Sequence, residues 1–123
     1  RYPAVPDSEL MNCVIRAAKD LNYPHHVGII HSHESFYMDS NEEEEKYWSK
    51  YGALGSDFES AALFCVGRIR HVKTASILNN VVVYGEDSAS SVSSYADGED
   101  MSAVGEKREI EVALEALYRL ASK

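Results

Sequence analysis

The strongest constraint on the fold is an alternation of two hydrophobic periods along the chain. His26-Val27-Gly28-Ile29-Ile30-His31 and the stretch from Thr74 to Tyr84 are short runs rich in Val and Ile, too apolar and too brief for an amphipathic helix. Around them lie stretches whose apolar residues recur at three- and four-residue steps. Leu10, Met11, Val14, Ala18 and Leu21 form one such set. Ala62, Cys65, Val66 and Ile69 form a second, and Ile110, Ala113, Leu114, Leu117, Leu120 and Ala121 a third. Buried strands between amphipathic helices predict an α/β architecture, with helices packed on a largely parallel sheet.

Local signals set the expected boundaries. Asp7 or Ser8 caps a first helix that runs to about Leu21, and Pro24 stops it. Residues 26–31 then form a strand that ends in Ser35-Phe36-Tyr37. Glu42 to Glu45 open a short helix through Tyr51, where the helix dipole favours carboxylates, and the charge run reads as a solvated face. After Gly52 and Gly55, the string Ser56-Asp57-Phe58-Glu59-Ser60-Ala61-Ala62 reads as a strand end turning into a helix that stops near His71. Residues 74–84 suit a central strand in which the amides of Asn79 and Asn80 need partners if buried. Gly85 to Gly105, with its run of serines and acids, is expected to be a flexible loop, followed by a last helix over about 106–121.

Composition narrows the classes of partner. A chain of 123 residues with 45% hydrophobic and 26% charged residues suits one soluble domain with a real core. Its net charge of -8, with Lys and Arg scattered, argues against nucleic acid. No apolar run has the roughly 20 residues of a membrane-spanning helix, so no membrane partner and a cytoplasmic location are expected. Cys13 and Cys65 lie in helical stretches and read as reduced core cysteines. There is no phosphate-cradling glycine loop, zinc-ligand spacing or nucleophile elbow. His31 and His33 alternate onto one side of an extended segment with Glu34 next after His33, a spacing that metal ligands use. Polar strand ends explain the same pattern, and no metal is expected.

Three strings carry a family resemblance: Tyr2-Pro3-Ala4-Val5 before the first helix, His26-Val27-Gly28-Ile29 leading to Ser35-Phe36-Tyr37, and Asp57-Phe58-Glu59-Ser60-Ala61-Ala62. Together with the order of elements they resemble the nucleoside phosphorylases, and most closely the uridine phosphorylase branch. The last string, similar to the family's Glu-Met-Glu-Ser/Ala-Ala motif, is the most specific. The resemblance covers nearly the whole of residues 1–123 but only the carboxy-terminal half of a family member. It implies part of a three-layer α/β/α sandwich with a central, mostly parallel or mixed sheet.

The resemblance also implies a site. Glu59 would grip the ribose hydroxyls, Phe58 would pack under the sugar, Phe36 would stack on the base, and Asp57 stands at the first acidic position of the motif. Val81 and Val82 would line the base pocket, and Val82 stands where purine-specific relatives carry an Asp, which favours a uridine-type site. Such a site suits phosphorolysis, because a fixed carboxylate near the sugar favours the positive charge that develops at the anomeric carbon. An aromatic face holds a planar base at little cost in freedom. The implied partners are a nucleoside, inorganic phosphate as co-substrate with no other cofactor, a companion amino-terminal half bearing the phosphate-binding groups, and further copies in a homo-oligomer. The alternative is a non-catalytic nucleoside-binding or assembly subunit derived from the same family.

Overall fold

The computed structural model describes residues 2–82 and 101–123, in the order α1 (Ser8–Asp20), β1 (Ile29–Ser32), α2 (Asn41–Lys50), β2 (Ala53–Asp57), α3 (Ser60–Ile69) and α4 (Met101–Ala121). The architecture is α/β, and β1 and β2 form a two-stranded parallel sheet. The chain divides into two compact units. One comprises the described residues up to Met11 together with Pro24–Ser76; the other comprises Asn12–Tyr23 and the described residues from Ile77 onward.

The first unit is built around the strand pair. Ile29 faces Ala53, and His31 and Ser32 face Ser56 and Asp57, so the register slips by one residue between Ile29 and His31. The strand begins at Ile29, later than expected, and is not buried on both faces, since Ile29 itself is 71% exposed. Gly28 precedes it, and a Cβ there would lie 2.6 Å from Cδ1 of the exposed Leu54, which would have to turn aside. Helix α2 packs beside β2, and Gly52, just past its C-cap Tyr51, has a φ of 96° that suits glycine. Helix α3 ends with His71 in the left-handed conformation, the Val72 N–H bonding back to the Gly67 carbonyl, which closes the last turn as a Schellman motif does.

The second unit has a cluster of small, buried side chains: Cys13, Ala17 and Ala18 from α1 with Val112 and Ala116 from α4, flanked by Val14, Tyr23, Ile77 and Leu120. Both cysteines are free thiols. At the end of α1, Asn22 takes a positive φ and the Tyr23 N–H reaches back to the Ala18 carbonyl, so the helix closes before Pro24 intervenes.

Several expectations require correction. Residues 74–82 form no strand; a strand needs a ladder partner, and none runs beside this segment among the described residues. Its groups are engaged otherwise: the Thr74 carbonyl accepts the Asp7 N–H, and the Asn79 side chain donates to the Ser102 carbonyl at 2.6 Å. The loop expected over 85–105 gives way to helix at Met101, and its remaining residues lie outside the described ones.

Two helix faces also differ. In α3 the buried positions are Ser60 and Gly67, whereas Val66 is 57% exposed and Ala62 and Ile69 are exposed too. In α4 the buried positions are Val112 and Ala116, whereas Ile110, Leu114 and Leu117 are exposed, Leu114 by 64%. In α1, Cys13 and Ala17 are buried in place of Met11 and Leu21. Small side chains occupy the close contacts, and the larger apolar ones have no covering element among the described residues.

Candidate active site

The carboxyl ends of two adjacent parallel strands are where an open α/β sheet offers its loops to a ligand. The chain that leaves β1 carries His33 and Phe36, and the chain that leaves β2 carries Phe58 and Glu59. Backbone and caps fix this corner. The His33 N–H donates to the Asp57 carbonyl at 3.0 Å, which extends the ladder one residue beyond β1. Asp57 Oδ2 accepts the Ser60 N–H at 3.0 Å and also the Ser60 hydroxyl, so Asp57 caps α3. Ser32 Oγ accepts the Ala61 N–H at 3.1 Å, and Ser60 Oγ lies 2.8 Å from Ser76 Oγ, so the buried Ser60 is fully engaged.

Phe36 and Phe58 meet in this corner, their ring centroids 5.9 Å apart, and His33 packs on the other side of Phe58 at 4.7 Å. Both phenylalanines keep a large open surface, Phe36 at 57% and Phe58 at 42%. Glu59 is exposed; its Oε2 accepts the Phe58 N–H at 3.2 Å, and it forms no ion pair among the described residues. An open carboxylate beside two open aromatic faces can accept hydroxyl donors while the rings hold a flat apolar surface. Of the six residues the sequence singles out, Phe36, Asp57, Phe58 and Glu59 thus share one corner. Val81 and Val82 belong to the other unit, in a bend and not on the expected strand.

Comparison with known proteins establishes the family. Residues 1–116 match the family described as the Phosphorylase superfamily. The chain belongs to that superfamily. Within it the uridine phosphorylases are among its similar members. The uridine phosphorylase of Treponema pallidum (strain Nichols) is 33% identical over 87 residues, which cover 63% of this chain and 34% of that protein. The guanosine phosphorylase of Halorubrum lacusprofundi is 33% identical over 76 residues, 62% of this chain and 31% of that one. A crystal structure of uridine phosphorylase from Vibrio fischeri ES114, complexed with 6-hydroxy-1-naphthoic acid, superposes with a TM-score of 0.81 at 37% identity, covering 96% of this chain and 47% of that one. The nucleoside phosphorylase fold is therefore shared, and the chain spans about a third to a half of the length of these relatives.

One residue beside this corner, Glu45, was not singled out by the sequence, and His33 was singled out only as a possible metal ligand. His33 touches Phe58, and Glu45 of α2 lies 3.4 Å from His33 Nε2 and 3.8 Å from His31 Nδ1. The alternation of His31 and His33 was a visible signal. The acidic partner was not: Glu34, directly after His33 in sequence, is exposed, and Glu45 comes from within the charge run of α2. Nothing in a run of four glutamates marks the one that turns inward.

Proposed function

We propose that this chain supplies the sugar- and base-contacting part of a nucleoside phosphorylase of the uridine type. The observation that carries the reading is the exposed Glu59 carboxylate beside the open rings of Phe58 and Phe36 at the carboxyl ends of two parallel strands. In this reading Glu59 accepts hydrogen bonds from the vicinal ribose hydroxyls, Phe58 lies under the sugar, and Phe36 stacks on the base. Phosphorolysis breaks the bond from the anomeric carbon to the base nitrogen, which keeps the electron pair. A phosphate oxygen then bonds to that carbon, giving free base and ribose 1-phosphate. A clamped sugar and a nearby negative charge favour the oxocarbenium-like state between.

The phosphate-binding groups belong, in this reading, to a companion half. Two features support it: the chain spans 47% of the Vibrio fischeri relative, and the large apolar side chains Val66, Ile69, Leu114 and Leu117 are exposed. A second half of the domain would cover such surface. No helix among the described residues is long and apolar enough to cross a membrane.

The test is Glu59→Gln in the protein completed by its companion half, with turnover of ribo- and deoxyribonucleosides measured beside thermal stability. A charge-assisted bond of roughly 1.5–3 kcal/mol is removed, so turnover of the ribonucleoside should fall at least about tenfold with little change in folding. The deoxyribonucleoside, which lacks one of the two hydroxyls, should lose less. Unaltered turnover would overturn the reading. Nucleoside binding by the completed protein without any phosphate-dependent cleavage would favour the non-catalytic subunit instead.

A further inference from the structure

We propose that His31, His33 and Glu45 form a binding site for a divalent first-row transition ion of the zinc type. His31 and His33 are two residues apart at the carboxyl end of β1, and successive odd positions of an extended segment share one face. Glu45 reaches the same place from α2. One potential ligand atom from each residue lies within 4.8 Å of the others. Both imidazoles approach the same carboxylate oxygen: His33 Nε2 is 3.4 Å and His31 Nδ1 3.8 Å from Glu45 Oε1.

A tetrahedral ion with bonds of roughly 2.0–2.1 Å sets its ligands about 3.4 Å apart, so one pair is already at that spacing and the others need a small inward rotation. The three side chains are mostly buried, with 12%, 16% and 19% of their surfaces open for His33, His31 and Glu45. The chosen nitrogen of His31 is a buried atom with no hydrogen-bond partner, so the fold leaves it a coordination task that no protein group performs. His33 Nδ1 is likewise buried and without a partner.

The ligand set selects the ion. Two imidazoles and one carboxylate suit Zn²⁺, Co²⁺ or Ni²⁺ and are poor for Mg²⁺, which prefers an oxygen shell and keeps its waters. Three protein ligands on a strand end and a helix leave at least one position open to water or an anion. The site does not depend on the nucleoside reading, although His33 packs directly on Phe58.

The chain carries its own reporter. Its single tryptophan, Trp48, stacks on the His31 ring with centroids 4.9 Å apart. Co²⁺ added to the purified protein should quench Trp48 fluorescence with one-to-one stoichiometry and give the visible absorption of a four- or five-coordinate cobalt site without a thiolate band. Zn²⁺ should displace the cobalt, and Mg²⁺ at a hundredfold excess should do neither. His33→Ala should abolish the visible absorption, and Glu45→Gln should weaken binding at least about tenfold, with far-ultraviolet circular dichroism unchanged. Cys65→Ser controls for the second, partly exposed thiol and should bind as the parent does. Should His33→Ala unfold the chain, His33→Gln keeps the bulk and serves the same purpose. Cobalt binding that survives loss of His33 and Glu45, or no binding by the folded parent, would overturn the proposal.

Discussion

The two compact units of this chain hold themselves together by different means. The unit containing most of α1 and all of α4 buries a cluster of small side chains, with Ala17 and Ala116 fully enclosed. The unit containing the strand pair buries Leu10 and Ser60, and leaves Ile29, Phe36, Phe58 and Val66 open. Its order comes instead from hydrogen bonds at strand ends and helix starts: Asp57 to Ser60, Ser32 to Ala61, His33 to Asp57. The candidate residues Phe36, Asp57, Phe58 and Glu59 lie in this second kind of structure. A corner whose shape is fixed by caps and ladder bonds can leave carboxylates and rings exposed to a ligand, whereas a packed apolar cluster consumes the surface it uses.

The sharpest test sets the two units against each other. Ala116→Leu forces three extra carbons into a fully buried position and should destabilise the chain by about 1–3 kcal/mol, visible as a lower thermal midpoint. Phe58→Ala removes a far larger side chain, yet one that is 42% exposed, and should cost only about 1 kcal/mol, roughly half of what full burial of a phenylalanine contributes. If the phenylalanine change proved the more costly of the two, the contrast between a packed unit and an open corner would fail.

A smaller effect probes how the open unit is held. Asp57→Ala removes the cap of α3, and with it the acceptor for the Ser60 N–H and hydroxyl. Loss of such a cap costs typically about 1 kcal/mol. Hydrogen exchange should show the added opening first at Ser60 and Ala61, while amides in α4 keep their protection. Uniform loss of protection across both units would mean that they unfold together and that the division has no energetic content.

What was legible in the sequence follows the same line. Strings with a local cause were read correctly: the cap at Asp7, whose Oδ1 accepts the Leu10 N–H at 2.8 Å, the helix opening at the acidic run, and the turn from Asp57 into α3. The corner of Phe36, Asp57, Phe58 and Glu59 was legible because each residue follows a strand end marked by its own motif. The helix faces were misread for a physical reason. Large apolar residues dominate a periodicity argument, so Ile110, Leu114 and Leu117 outweighed Val112 and Ala116, although it is the small residues that are enclosed. Residues 74–82 were misread because β-propensity describes fit to a pleated surface and does not itself provide a neighbouring strand. Glu45 was invisible since its role depends on the turn of α2 beside β2.

Titration offers a gentler probe of the packed unit. The Tyr23 hydroxyl donates to Glu111 Oε2, and this bond, with some burial, raises the phenol above its ordinary range. A pKa higher in the folded than in the unfolded chain means a contribution that is complete below about pH 10 and is lost as pH rises through the folded value. Parent and Tyr23→Phe should therefore differ in stability at pH 8 and converge as the solution is made strongly alkaline. A difference that stays constant up to that range would show that the hydroxyl contributes nothing through its proton.

The smallest expected effect lies on the same helix and has the opposite consequence at neutral pH. Glu109 is half-buried on α4, and burial, followed by repulsion from Glu106, raises its carboxyl above the ordinary range. Because the folded chain holds this proton more tightly than the unfolded one, the contribution is complete at acid pH and lost as pH rises through the folded value, so at pH 7 the ionised side chain is a net cost. Its remaining exposure lets water screen much of that cost. Glu109→Gln removes the charge at constant size and should stabilise the chain at pH 7 by less than about 0.5 kcal/mol, with the gain disappearing near pH 4, where the parent carboxyl is itself protonated. Thermal midpoints of the two proteins measured from pH 4 to 8 would show this as a difference that opens with rising pH. A gain that persists at pH 4 would instead mean that the glutamine packs or hydrogen-bonds better, and that charge on α4 has no part in the stability of the packed unit.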